Sequence, residues 1–306
     1  MLRIAFFLFL LREVYMIQDD KDFAYSKISS SAMLVDLSIS VWTARKLDKN
    51  VSAEVDASKN TKTKAGNYHK NLLAGSEKLA EIGKLSSIIR SWSYSQTSPW
   101  SDAGSRLLPS TLFFDYKAKL AEYENVFSDA VTEFLGEYDV LVTKAAFQLG
   151  DLFNREEYPA VDKVRSKFGM YYTFSPVPEA GDFRVDIGEA GIKELQERYA
   201  SAYKVRIEAS MKDVWDKTYT ALKHLSTKLD ETKGKQKLFD SMMDNTEELC
   251  NLLKHLNVTN DMQLEELRKE MQYNLSGIST NDLRKDEDLR ISTKSAVDEM
   301  LKKFSI

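Results

Sequence analysis

Two long stretches of helical periodicity, separated by one short segment of strand character, constrain this chain more than any other feature. From about Thr111 to Phe153, Leu112, Tyr116, Leu120, Tyr123, Phe127, Val131, Phe134, Tyr138 and Leu141 recur at helical spacing, which places them on one face of a helix. From about Glu189 to Asp230, Ile192, Leu195, Tyr199, Ala202, Tyr203, Ile207, Met211, Val214, Leu222, Leu225 and Leu229 do the same. At a rise of 1.5 Å per residue, each helix would be roughly 60 Å long. The segment between them, 169–187, joins an aromatic run (Met170-Tyr-Tyr-Thr-Phe174) to Pro176, Pro178 and Gly181 and reads as a β-hairpin. The expected fold is mainly α: a long antiparallel helical hairpin with a small β-sheet, plus a C-terminal helical subdomain. The aromatic content exceeds that of a Leu/Ile seam, so globular helix packing is expected rather than a uniform coiled coil.

Three regions follow from the pass along the chain: 1–15, 16–232 and 233–306. The first holds an apolar run, Ile4 to Leu11, too short to span a bilayer. Acidic residues follow it instead of a small-residue cleavage site. Arg12-Glu-Val-Tyr-Met16 can be encoded by a string that serves as a ribosome-binding site and start codon, so residues 1–15 are read as an over-called start. A membrane anchor is the alternative reading of that run. In the second region, Ala32 to Thr43 alternates, with Met33, Val35, Leu37, Ile39 and Val41 on one side and Asp36, Ser38 and Ser40 on the other. This predicts a strand at 33–43, with the 169–187 hairpin as its partner. Helices are expected over 44–58 and 68–95, with a polar connection at 60–66 and a loop at 97–109. Ser110 is placed as the N-cap of the first long helix. In the third region helices are expected at 238–256, 262–275 and 282–304, with Thr259 or Asn260 as a cap.

Composition limits the function classes. The formal net charge is -4, which argues against a wholesale nucleic-acid coat but leaves room for a local basic patch. Charge is segregated: residues 44–90 hold ten Lys/Arg against five Asp/Glu, and residues 115–163 hold five against eleven. Either the two segments lie side by side, or the basic one meets an external anion. The lone Cys250 cannot form an internal disulfide, which fits a reducing, cytoplasmic setting. No phosphate-cradling Gly-rich loop or Gly-x-Ser-x-Gly elbow occurs. His69, His224 and His255 lack metal-ligand spacing, and Cys250 with His255 is no nucleophile pair. No catalytic residue, metal site or cofactor is assigned, although a carboxylate cluster drawn from distant segments remains an alternative.

Two loops and one basic segment carry the binding candidates. Trp100, Asp102 and Arg106 form a recognition loop, or else Trp100 plugs a helix junction while Asp102 pairs with Arg106 or caps a helix. Asp182, Phe183 and Arg184 stand at the hairpin tip as a docking point, or the prolines there make only a rigid turn. Arg45, Lys46, Lys49, Lys62, Lys64, His69 and Lys70 are the nucleic-acid candidates, with Trp42, Tyr68, Arg90, Trp92 and Tyr94 as aromatic and basic company. Aromatics at helical spacing are more often core.

Val41-Trp-Thr-Ala-Arg-Lys46, Tyr68-His-Lys70, Pro99-Trp-Ser-Asp102 with Arg106-Leu-Leu-Pro109, Gly150-Asp-Leu-Phe153 and Pro176-x-Pro178 with Gly181-Asp-Phe-Arg184 occur here in order. Together they resemble a family of uncharacterised proteins from bacteriophages and integrative elements, over about Ala32 to Val258. Members are often encoded near a MoxR-type AAA+ ATPase and a von Willebrand A-domain protein, and some near recombination genes. The resemblance implies a mobile-element origin and an ATPase partner; it carries over no catalytic residue. The leading expectation is a non-catalytic helical adaptor or structural protein of a phage assembly. The alternative is a single-stranded DNA-binding or recombination accessory protein. An exposed apolar stripe on either long helix would favour a homo-oligomer, and no membrane partner is expected.

Overall fold

The computed structural model describes residues 28–178, 188–230, 238 and 241–304. The hairpin tip with Asp182, Phe183 and Arg184, and the segment around Met16, lie outside the described residues. The fold is mainly α, with ten α-helices among the described residues. In chain order they and the strands are α1 (Ile28–Ser31), β1 (Ala32–Ser40), β2 (Arg45–Asp48), α2 (Lys49–Ser58), β3 (Tyr68–Asn71), α3 (Glu77–Gln96), β4 (Ser98–Pro99), β5 (Arg106–Pro109), α4 (Phe113–Leu149), α5 (Val161–Arg165), β6 (Gly169–Pro176), α6 (Gly188–Leu229), α7 (Ser241–Leu256), α8 (Met262–Leu275), α9 (Thr280–Lys285) and α10 (Glu287–Lys302). The chain forms two compact units. One comprises residues up to Asp36, Tyr94–Tyr116 and Thr173–Ile306; the other comprises Leu37–Ser93 and Lys117–Tyr172.

In the first unit, α6 buries Ile207, Met211, Val214, Thr218, Leu222, Leu225 and Leu229, in steps of three or four residues along one face. Against them pack α7, α10 and β4. Phe304 stands edge-on to Trp215 at 5.4 Å and to Tyr219 at 5.3 Å, and Ser226 donates to Asp298 at 2.5 Å. The C-terminal helices therefore share a core with α6, and the contacts do not divide at the 232/233 boundary expected from the sequence. Asp261, not Thr259 or Asn260, caps α8 by accepting from the amides of Gln263 and Leu264; its carboxylate reaches both amides, the usual advantage of Asp at that position.

The four-stranded sheet has the order β4-β5-β1-β6. β1 neighbours β6 as expected, but its other partner is β5, inside what reads in sequence as a loop. The register Ala32↔Pro109 to Val35↔Arg106 is antiparallel. Leu107 and Leu108 are consecutive and both buried, so β5 lacks the alternation by which a strand is recognised. Ser110 opens a short 3-10 turn and makes no side-chain cap; Pro109 precedes the turn and α4 starts at Phe113.

In the second unit, α4 contributes Leu120, Phe127, Val131, Phe134 and Tyr138, all buried. Phe134 stands edge-on to Phe168 at 5.6 Å, and Trp42 to Tyr138 at 6.0 Å. The Tyr138 hydroxyl donates to the Pro159 carbonyl at 2.9 Å, which satisfies the one polar atom this large side chain carries inward. Burial pushes its phenol up to about 12. Two stretches expected to be helical are strands: β2 occupies 45–48 and β3 occupies 68–71, paired antiparallel from Arg45↔Asn71 to Asp48↔Tyr68. With four residues each, and three of the four in β2 charged, neither shows an apolar period.

Candidate functional site

β2, α2 and β3 form a continuous basic element of the second unit, and a single lysine decides its orientation. On a two-stranded ribbon, alternate residues share a face. Lys46, Asp48, Tyr68 and Lys70 therefore lie on one side and Arg45, Leu47, His69 and Asn71 on the other. Lys70 is 5% exposed. Its ammonium lies 3.1 Å from Asp48 and 2.8 Å from Glu157, and donates to the Leu152 carbonyl at 2.8 Å. Burial alone would pull its pKa down; its hydrogen bonds to Glu157 and Asp48 outweigh that and the net shift is upward. Asp48 is held below its ordinary value, first by the Val51 amide and then by Lys70. The same Asp48 caps α2 through the amides of Asn50 and Val51, both at 3.1 Å. One carboxylate thus starts the helix and fixes the strand.

This corrects one nucleic-acid candidate: Lys70 is an anchor, not a contact, because two carboxylates and a carbonyl already occupy its three donors. The remaining six, Arg45, Lys46, Lys49, Lys62, Lys64 and His69, are exposed. Among the described residues none of the five lysines and arginines in that set forms an ion pair. The segregated charge is partly paired inside the unit: Lys78 lies 2.8 Å from Glu137 and 3.4 Å from Glu133, and Lys70 meets Glu157. Trp92 packs edge-on to Tyr123 at 5.3 Å and Arg90 donates to the Ile39 carbonyl at 2.6 Å, so those two serve the core. Tyr68 stays 40% exposed.

The other candidate loop, in the first unit, is turned inward. Trp100 is 4% exposed and stands edge-on to Tyr203 at 5.4 Å, with the Arg206 guanidinium 5.8 Å from its ring centre. Arg106 donates to the Thr97 hydroxyl at 2.6 Å and to the Thr97 carbonyl at 2.9 Å, and lies 4.4 Å over the Tyr94 ring. Its partner is therefore Thr97 rather than Asp102, and of the three loop residues only Asp102 is exposed. The loop closes as a tight turn, with the Gly104 amide donating to Ser101 at 3.1 Å and Gly104 at φ 106°, a conformation that favours glycine.

Sequence reasoning missed a concave surface along α6 and α7, about 720 Å³ in volume, lined by Ala221, His224, Met242, Leu249 and Leu252 with Lys217 and Asp216 at its polar side. Lys217 donates to the carbonyls of Tyr94 at 2.7 Å and Thr97 at 2.8 Å and pairs with Asp213 at 2.7 Å. Burial pulls its pKa down, and Asp213 only partly offsets this. With those donors committed, Lys217 is no free nucleophile. Cys250 is buried and donates to the Arg268 carbonyl at 3.4 Å; burial pushes its thiol up, the opposite of activation. His255 pairs through Nδ1 with Thr111 at 2.9 Å. Among the described residues no group of three or more His, Cys, Asp or Glu could hold a metal ion, and no helix is long and apolar enough to cross a membrane. No family model, curated protein or solved structure matches this chain.

Proposed function

We propose that this chain works as a helical adaptor, non-catalytic, in an assembly of phage or mobile-element origin. The observation that carries the reading is the groove on α6 and α7. Its lining combines apolar Ala221, Met242, Leu249 and Leu252 with polar Asp216, Lys217 and His224. A groove along two helices with both kinds of side chain suits a partner's amphipathic helix. Leu249 is half-buried in the groove, so an acid there would disrupt docking at little cost to the core. An AAA+ ATPase as the partner follows from the resemblance in the sequence.

The test compares proteins captured from host cells, after nuclease treatment, by wild type and by Leu249→Asp. A protein that survives nuclease, binds the purified wild-type chain directly and is lost with Leu249→Asp supports the reading. An identical set of partners for both forms, with melting temperatures unchanged, overturns it.

A further inference from the structure

We propose that the β2–α2–β3 element is a binding surface for single-stranded nucleic acid, with Lys46, Lys49, Lys62 and Lys64 on phosphates and Tyr68 under a base. This goes beyond the adaptor reading and uses a surface of the second unit alone.

Charge comes first. Residues 45–71 hold seven Lys/Arg and three Asp/Glu in a chain of net charge -4. Two of the three acids are occupied: Asp48 caps α2 and holds Lys70, and Asp56 accepts the Ala65 amide at 3.2 Å. Lys70 is the single inward cation. The other six are exposed, with Lys46 on Lys70's side of the ribbon and Arg45 on the opposite side.

The support is the second point. The return from α2 to β3 is tied down along its length: Thr61 bonds the Asp56 carbonyl through its amide at 3.0 Å and its hydroxyl at 3.2 Å, and the Tyr68 amide donates to the Ser52 hydroxyl at 3.0 Å. Lys62 and Lys64 therefore leave from a held loop at one end of α2, while Lys46 and Lys49 sit at the other. A helix of 10 residues separates these groups by roughly 15 Å, room for a few phosphates in a row. Cations held in place lose less freedom on binding than cations on a free chain.

The residues between the cations select the partner. Asn50, Ser58, Asn60, Thr61 and Thr63 are exposed and polar, the side chains that contact phosphate and sugar. A membrane surface would call for a row of large apolar residues; α2 offers only Val55, half exposed. Tyr68 supplies what a duplex would not use. An exposed ring stacks on a base only when that base is unpaired.

The test is fluorescence anisotropy of the full chain with a labelled oligo(dT), a duplex of equal length, and vesicles containing anionic lipid, over a salt series. The oligonucleotide should bind more tightly than the duplex, and log affinity should fall linearly with log salt. Lys62→Ala with Lys64→Ala should weaken binding about tenfold or more and flatten the salt slope by roughly 1.4, two single-strand contacts' worth. Tyr68→Ala should weaken oligo(dT) about tenfold and leave the duplex unchanged. No binding at low salt overturns the proposal. Equal affinity for duplex, or a silent Tyr68→Ala, overturns its single-strand part; tighter binding to vesicles overturns nucleic acid as the partner. Leu249→Asp should leave oligonucleotide binding intact, so failure here and failure of the adaptor reading show separately. Unchanged melting curves for the lysine and tyrosine variants exclude misfolding as the cause.

Discussion

Each unit buries a lysine, and their surroundings drive the two in opposite directions. Lys70 keeps 5% of its side-chain surface and Lys217 keeps 24%, yet it is Lys217 whose pKa falls and Lys70 whose pKa rises. Side-chain exposure does not order them; the cost of desolvation and the partners together do. Lys70 faces two carboxylates and a carbonyl, so the ammonium is compensated beyond its burial cost. Lys217 faces one carboxylate and two carbonyls, with the Arg106 cation nearby, so the cost of burial wins. The more opposite charge a buried cation faces, the more its removal leaves uncompensated. In the first unit, cohesion near Thr97 is therefore expected from aromatic packing. In the second, cohesion at the ribbon is expected from the ion triad.

The largest effect should fall on the aromatic side of that contrast. Trp100→Ala removes a ring that is 4% exposed and packed on Tyr203, which costs about 3–5 kcal/mol in urea unfolding. If stability held and only partner binding changed, Trp100 would be a recognition residue after all and the contrast would fail. Next comes Lys70→Met. It leaves Asp48 and Glu157 facing an apolar chain, with Glu157 18% exposed, and should cost about 3 kcal/mol, the lower end for breaking a buried pair because both acids retain some water. Lys217→Met should cost only about 1 kcal/mol: Thr97 keeps its bond from Arg106, and Asp213, 30% exposed, can turn to solvent. Equal losses for the two methionine variants would erase the distinction.

The same contrast separates what was legible in the sequence from what was not. The α4 stripe reads directly, because a 37-residue helix repeats its period many times; Leu120, Phe127, Val131, Phe134 and Tyr138 fall where the pattern puts them. β1 reads from its alternation. β2 and β3 do not, because Arg45-Lys-Leu-Asp48 and Tyr68-His-Lys-Asn71 carry their burial in a lysine, and that lysine is buried only because Glu157 arrives from beyond α4. The seven cations of 45–70 look alike in sequence for the same reason; long-range pairing singles out one. Sequence leaves Trp100 open as a recognition residue or as the plug of a helix junction; it packs inward on Tyr203, and the stretch after it is not recognisable as β5, which pairs with β1. The groove is invisible from sequence since Ala221, Met242 and Leu249 are ordinary apolar positions on their own helices.

The smallest effect, and the sharpest discriminator, is the pH dependence of each lysine's contribution. For Lys70 the folded pKa lies above the unfolded value near 10.5. Its contribution is complete below that value; above it the unfolded chain releases the proton first, so stability is lost as pH rises toward the folded pKa. For Lys217 the folded pKa lies below 10.5. Between the two values the folded chain has already released its proton while the unfolded chain has not, so stability rises with pH over that window. Tyr138 adds to the alkaline loss, its phenol being raised to about 12 from 10.0, and is common to every variant. Stability measured from pH 8 to 12 in wild type, Lys70→Met and Lys217→Met isolates each lysine by difference. The wild-type curve minus that of Lys70→Met should fall above about pH 10.5, and minus that of Lys217→Met should rise below it. Parallel curves for all three proteins would mean that neither lysine is shifted, and that burial at these two sites is matched to its partners in the same way.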